Sequence, residues 1–105
     1  TALVGNNSDM ADSVFVGYVQ TLPEKVRQNW RLPGFLKEQN LKCRVHLWIG
    51  PRGELMKVQI RESSGNSEYD ALAEGAVRAS SPFPAPPVDA APKLATRGIV
   101  LGFPL

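Results

Sequence analysis

The 105 residues include two Trp and four Phe and are 43% apolar and 21% charged, which suits one domain with a single modest core and excludes a disordered, charge-rich segment. Twelve basic against ten acidic residues leave a formal charge of +2, too little by itself to require a nucleic acid or an anionic membrane as partner. A lone cysteine, Cys43, excludes an internal disulfide and a cysteine cluster for zinc, and no run approaches the roughly 20 apolar residues of a membrane span.

Residues 1–12 are small and polar, with Gly5, Asn6, Asn7, Ser8 and Asp9 in succession, and read as a flexible tail or the end of a linker; the domain proper is expected over 13–105. Val14, Tyr18, Leu22, Val26 and Trp30 recur every four residues, one stripe of an amphipathic helix. Pro23 interrupts it, and Thr21 with Glu24 three residues on resembles a capping box. Either one helix is kinked at Pro23, or a short first segment precedes a helix over 22–31 that Leu32-Pro33-Gly34 stops.

Cys43, Val45, Leu47 and Ile49 alternate with Arg44, His46 and Trp48, the period of a half-buried strand. Gly50-Pro51-Arg52-Gly53 is a hairpin turn, and a second strand is expected with Met56, Val58 and Ile60 inward and Leu55, Lys57, Gln59 and Arg61 outward. Ser63-Ser64-Gly65-Asn66 ends it, and Ser67 with Asp70 reads as the cap of a second helix. Tyr69, Leu72, Ala73, Ala76, Val77 and Ser80 share one face of that helix, a small-residue stripe suited to packing on a sheet. Pro82, Pro84, Pro86 and Pro87 then read as a stiff, extended crossover to a last apolar strand, Ile99, Val100, Leu101, Gly102 and Phe103.

The order helix, strand, strand, helix, strand predicts an α+β fold with two helices on one face of a three-stranded sheet. A right-handed crossover places the third strand beside the first and antiparallel to it, giving strand order 2-1-3, a split β-α-β arrangement. Two surfaces follow for binding. The outer strands have unpaired backbone groups. The second sheet face, with Arg44, His46, Trp48, Lys57, Gln59 and Arg61, has no predicted element to cover it.

Catalytic chemistry finds little support. The only histidine, His46, and the only cysteine, Cys43, fall on opposite faces of one strand, so they form no nucleophile-base pair, and Cys43 reads as a buried structural residue. The acidic residues show no metal-ligand spacing, and Ser63-Ser64-Gly65 lacks the lysine of a phosphate-binding loop. No enzyme activity, metal or cofactor is expected.

Several motifs in order carry a family resemblance. They are Trp30-Arg31-Leu32-Pro33, the alternating strand from Cys43, the turn Pro51-Arg52-Gly53-Glu54, Ile60-Arg61-Glu62-Ser63-Ser64-Gly65, the alanine-rich run from Asp70 to Arg78, and Pro82-Phe83-Pro84. Over residues 18–103 the chain resembles the C-terminal domains of TonB and TolA and their relatives. The resemblance implies a periplasmic docking domain at the end of an inner-membrane-anchored protein. Such a protein couples an energised inner-membrane motor complex, through a region absent here, to outer-membrane or periplasmic partners. It departs in lacking a disulfide that relatives of the TolA kind can carry, while the long segment ahead of Trp30 is closer to TolA-like forms.

Members of this family capture an extended peptide by adding it as a strand to a sheet edge. Ile99, Val100, Leu101, Gly102 and Phe103 are the expected docking strand: apolar, containing a glycine, and without a charged guard. Arg44, His46, Trp48, Lys57 and Arg61 form a secondary face. That face supplies the rival reading, a single-stranded nucleic-acid platform, against which a packed Trp48 or a homodimer contact is preferred.

Overall fold

The computed structural model describes the backbone of residues 2–105 and the side chains from residue 13 onward. Its elements in chain order are α1 (Ala2–Arg27), α2 (Gly34–Lys37), β1 (Cys43–Ile49), β2 (Leu55–Glu62), α3 (Ser67–Ala79), α4 (Ala91–Thr96) and β3 (Ile99–Phe103). The three strands form one antiparallel sheet in the order β2-β1-β3, as the connectivity required.

The first helical stripe belongs to a single element. α1 runs through Pro23, and the hydroxyl of Thr21 donates to the Tyr18 carbonyl at 2.6 Å, so Thr21 does not cap a new helix. The helix ends at Arg27, ahead of the expected 31; a tight turn, Asn29 N to Val26 O and Trp30 N to Arg27 O, then brings Trp30 back onto the core. Tyr18, Leu22 and Val26 are buried. The tail expected at 1–12 lies outside the described side chains, while the backbone of 2–12 carries α1. Beyond Pro33 one unforeseen turn of helix, α2, buries Leu36.

β1 alternates as read: Cys43, Val45, Leu47 and Ile49 are buried beneath the helices. β2 does not keep step. Its register against β1 slips between Trp48 and Ile49, pairing Trp48 with Lys57 but Ile49 with Leu55, and again between Arg44 and Val45. The extra residue at each slip reverses the alternation. Met56, expected inward, is therefore 56% exposed, and Leu55, expected outward, packs against the core. Val58 and Ile60, between the slips, face inward as expected. At the hairpin, Gly53 has φ +88° and a side chain there would collide with the carbonyl of Phe83, whose N–H donates to Gly53 O at 2.8 Å. Only glycine fits that approach.

α3 is capped by Asn66, whose side-chain oxygen accepts from the N–H groups of Glu68 and Tyr69. The capping role expected of Ser67 falls one residue earlier because Asp70 is engaged elsewhere: its carboxylate accepts from Ser63 Oγ and from both N and Oγ of Ser64, tying the end of β2 to the start of α3. The small-residue stripe packs as read, with Tyr69, Ala73, Ala76 and Val77 buried on the sheet. Ser80 ends α3 in the interior, its hydroxyl donating to Ala76 O and accepting from Asn29 of the α1 end.

The proline segment is extended only as far as Pro87. Ala91–Thr96 forms α4, with Pro92 in its first turn, where a missing N–H costs nothing. Leu94 and Ala90 insert fully into the core.

Candidate docking edge and outer sheet face

β3 is an edge strand. Its buried residues, Ile99, Leu101 and Phe103, face the helices, while Val100 and Gly102 face outward, with Val100 43% exposed. On one side it pairs with β1 from Cys43↔Phe103 to Leu47↔Ile99. On the other, no segment among the described residues pairs with it. In an antiparallel ladder alternate residues turn both backbone groups toward the partner, so every second residue of β3 presents a donor and an acceptor to the open side. Five residues expected as the docking strand are thus brought together in one accessible ladder.

The opposite edge differs. Leu55 N donates to Ser81 Oγ at 3.4 Å and Phe83 N to Gly53 O at 2.8 Å, so the segment after α3 lies against the start of β2. Its two register slips twist the remainder away from regular pairing. β3 is the regular edge.

Gly98 sets the entry to β3. It holds φ +68°, and a Cβ there would stand 2.5 Å from Leu47 O and 2.9 Å from the His46 ring. The chain turns at this point from α4 into the ladder with no room for a side chain.

The secondary face is built differently from its expectation. His46 and Trp48 stack at 3.8 Å with ring planes 12° apart, and the Lys57 ammonium lies 5.0 Å from the indole centroid. The indole N–H donates to Thr96 O at 3.2 Å, and His46 Nε2 lies 2.7 Å from Arg97 O. A carbonyl can only accept, so Nε2 is the donor in this contact, while Nδ1 is buried without a hydrogen-bond partner. The face predicted to be uncovered is therefore clasped by the C-terminal end of α4, an element the proline-rich reading had left out. Arg44 stands 3.9 Å from Glu62, both well exposed, which partly offsets its charge, and Arg61 sits at the second register slip. With its indole stacked and its N–H engaged, Trp48 is not a free platform for a base.

Cys43 is buried on the core face, opposite His46 as the alternation required. Burial, reinforced by the Asp70 charge, pushes its thiol up to about 11, so it stays protonated and inert at neutral pH. Burial also works to raise the Asp70 carboxyl, but the hydrogen bonds from Ser63 and Ser64 outweigh it and hold the group below its ordinary 3.8. Both groups serve the structure.

Against known proteins, a model of the TonB C-terminal family matches residues 15–101. The chain belongs to that family. No curated protein matches it. Among solved structures it is similar to TolAIII in a solution NMR structure with a peptide derived from the N-terminus of TolB, with a TM-score of 0.56 and 22% identity over 88% of this chain and 69% of that one. At such identity the likeness is one of fold. Sequence reasoning missed Thr96 and Arg97, whose backbone carbonyls hold the outer face; a backbone acceptor leaves no mark in the sequence.

Proposed function

We propose that this domain is the partner-docking end of an envelope-spanning protein of the TonB/TolA kind, working in the periplasm without catalytic chemistry. It captures an extended segment of an outer-membrane or periplasmic protein by strand addition to β3 and so connects it to an inner-membrane motor complex. The observation that carries this reading is the regular, apolar, unguarded edge of β3 beside a β2 edge that is slipped and partly covered. Membership of the TonB C-terminal family supports it, as does the capture of a peptide by the structurally similar TolAIII. Main-chain pairing supplies affinity without demanding a particular sequence, and the outward Val100 and Gly102 leave the approach uncrowded.

Amide chemical-shift mapping tests the proposal. The ¹⁵N-labelled domain is titrated with a TolB N-terminal peptide and, separately, with a single-stranded oligonucleotide. Shifts confined to residues 99–103 and their β1 neighbours with peptide support strand addition. Shifts at Arg44, Trp48 and Arg61 with the oligonucleotide, weakening steeply as salt rises, would instead establish the nucleic-acid platform.

A further inference from the structure

At the end of the sheet where β3 stops, a groove of about 300 Å³ opens, at the small end of the range for ligand pockets. Trp30, Leu32, Leu36 and Leu41, all from the stretch between α1 and β1, make one side, and Pro104 and Leu105, immediately after β3, make the other. Tyr69 lines it from the first turn of α3 and is fully buried. Its ring meets the edge of Trp30 at 5.5 Å and 82°, and Trp30 in turn packs on Phe103 at 4.8 Å. The Tyr69 hydroxyl is buried with no hydrogen-bond partner. Such groups are rare in folded proteins, and one in the wall of an open groove, which Lys37 and Asn40 line beside the apolar residues, is a donor awaiting an acceptor.

The position of this groove relative to the docking edge specifies what fills it. Pro104 has no N–H, so ladder pairing along β3 ends at Phe103. A strand captured on β3 that runs past Phe103 has a backbone carbonyl with no ladder donor. Its side chains alternate as those of β3 do, so every second one points to the helix-covered side, where Phe103 meets Trp30 and the groove begins. We propose that the groove is the specificity pocket of the docking edge. It takes one large apolar side chain of the captured strand, such as Leu or Phe, while the Tyr69 hydroxyl donates to a carbonyl of that strand. This rests on β3 being the capture edge.

The test selects peptides of about ten residues, long enough to pair with the whole of β3, from a random displayed library against the wild-type domain. The enriched peptides are synthesised and mapped by amide shifts. The expected set shares a Leu, Ile, Phe or Met at one fixed position, mapped next to Phe103, and replacing it with Asp weakens binding about tenfold or more. Tyr69→Phe weakens the same peptides about threefold to tenfold, the loss of one neutral hydrogen bond. It melts no lower than wild type, because the hydroxyl has no partner in the free domain. Leu105→Glu, at a half-buried position in the groove wall that packs on the margin of the core, removes the apolar preference while the shifts at residues 99–103 persist. Peptides that shift residues 99–103 but share no apolar position, or bind Tyr69→Phe equally well, overturn the pocket and leave the docking edge standing. No enrichment, or shifts elsewhere, overturns the docking edge and the pocket with it.

Discussion

Gly98 precedes β3 and Gly102 lies within it, and alanine at each should have opposite consequences. At Gly98 the added methyl enters a backbone with φ +68° and stands 2.5 Å from Leu47 O, where ordinary contact begins at 3.4 Å, so the carbonyl must retreat by about 0.9 Å. That carbonyl belongs to the residue paired with Ile99, the first of the β1–β3 ladder. The left-handed conformation alone costs about 1–2 kcal/mol for a residue with a side chain. Disturbing a ladder position adds about one hydrogen bond, roughly 0.5–1.5 kcal/mol, against which reduced freedom of the unfolded chain returns about 0.4–1 kcal/mol. The net loss is about 1–3 kcal/mol, a fall in Tm of upwards of about 4 °C for a domain of this size. At Gly102 nothing lies within 4 Å and φ is not positive, so Gly102→Ala should be neutral or slightly stabilising. Urea melts of both variants, with amide exchange at Ile99 and Val100, supply the readout. A Gly98→Ala domain as stable as Gly102→Ala, with Ile99 equally protected, would refute the placement of this turn.

Three further outcomes are expected. Leu94→Ala removes a fully buried side chain from α4 and should cost about 2–5 kcal/mol in a denaturant melt; a negligible change would show that α4 is not part of the core. In β2, Leu55→Ala should destabilise by about 1–2 kcal/mol and Met56→Ala by less than about 0.5 kcal/mol, and the reverse ranking would remove the register slip. Asp70 has its folded carboxyl below the ordinary value, so its contribution is complete above about pH 4 and is lost as pH falls through the depressed folded value. Asp70→Asn should flatten the decline of stability with acidification in that window, and an unchanged acid limb would assign the decline to other groups.

The parts of the fold that could be read from the sequence are those in which one regular period runs the length of an element. β1 declares itself because all seven residues keep step, and α3 because its small residues recur at helical spacing around Tyr69. The strand order followed from connection lengths and handedness alone. β2 defeated the same reasoning at its start, because a single extra residue at Met56 puts Leu55 and Met56 out of step with Val58 and Ile60, which keep the expected facing, and no local residue type announces it. α4 is six residues long, too short to display a period, and its one signal, Pro92 in the first turn, was submerged among the prolines before it. Asn66 and Ser67 are both competent caps, and the choice between them depends on Asp70 being held by Ser63 and Ser64.

The docking strand was legible as an apolar run with a glycine and no charged guard. That its rival edge is slipped and overlain by Ser81 and Phe83 was not. The outer face looked like a platform on residue types alone. Its stacked His46 and Trp48 and their carbonyl partners in the Thr96-Arg97 turn are products of the tertiary fold. The groove beside Tyr69 draws on three separate stretches of chain, so no window of sequence contains it.

Hydrogen exchange of individual amides, compared between the free domain and its complex with a TolB N-terminal peptide, tests strand capture most directly. A new ladder on β3 should slow exchange at the alternate residues of 99–103 whose N–H groups face the open edge, by about tenfold or more, and leave β2 unchanged. Protection that falls on β2 or on the Trp48 face, or a bound peptide that protects no amide of β3, would contradict capture at this edge.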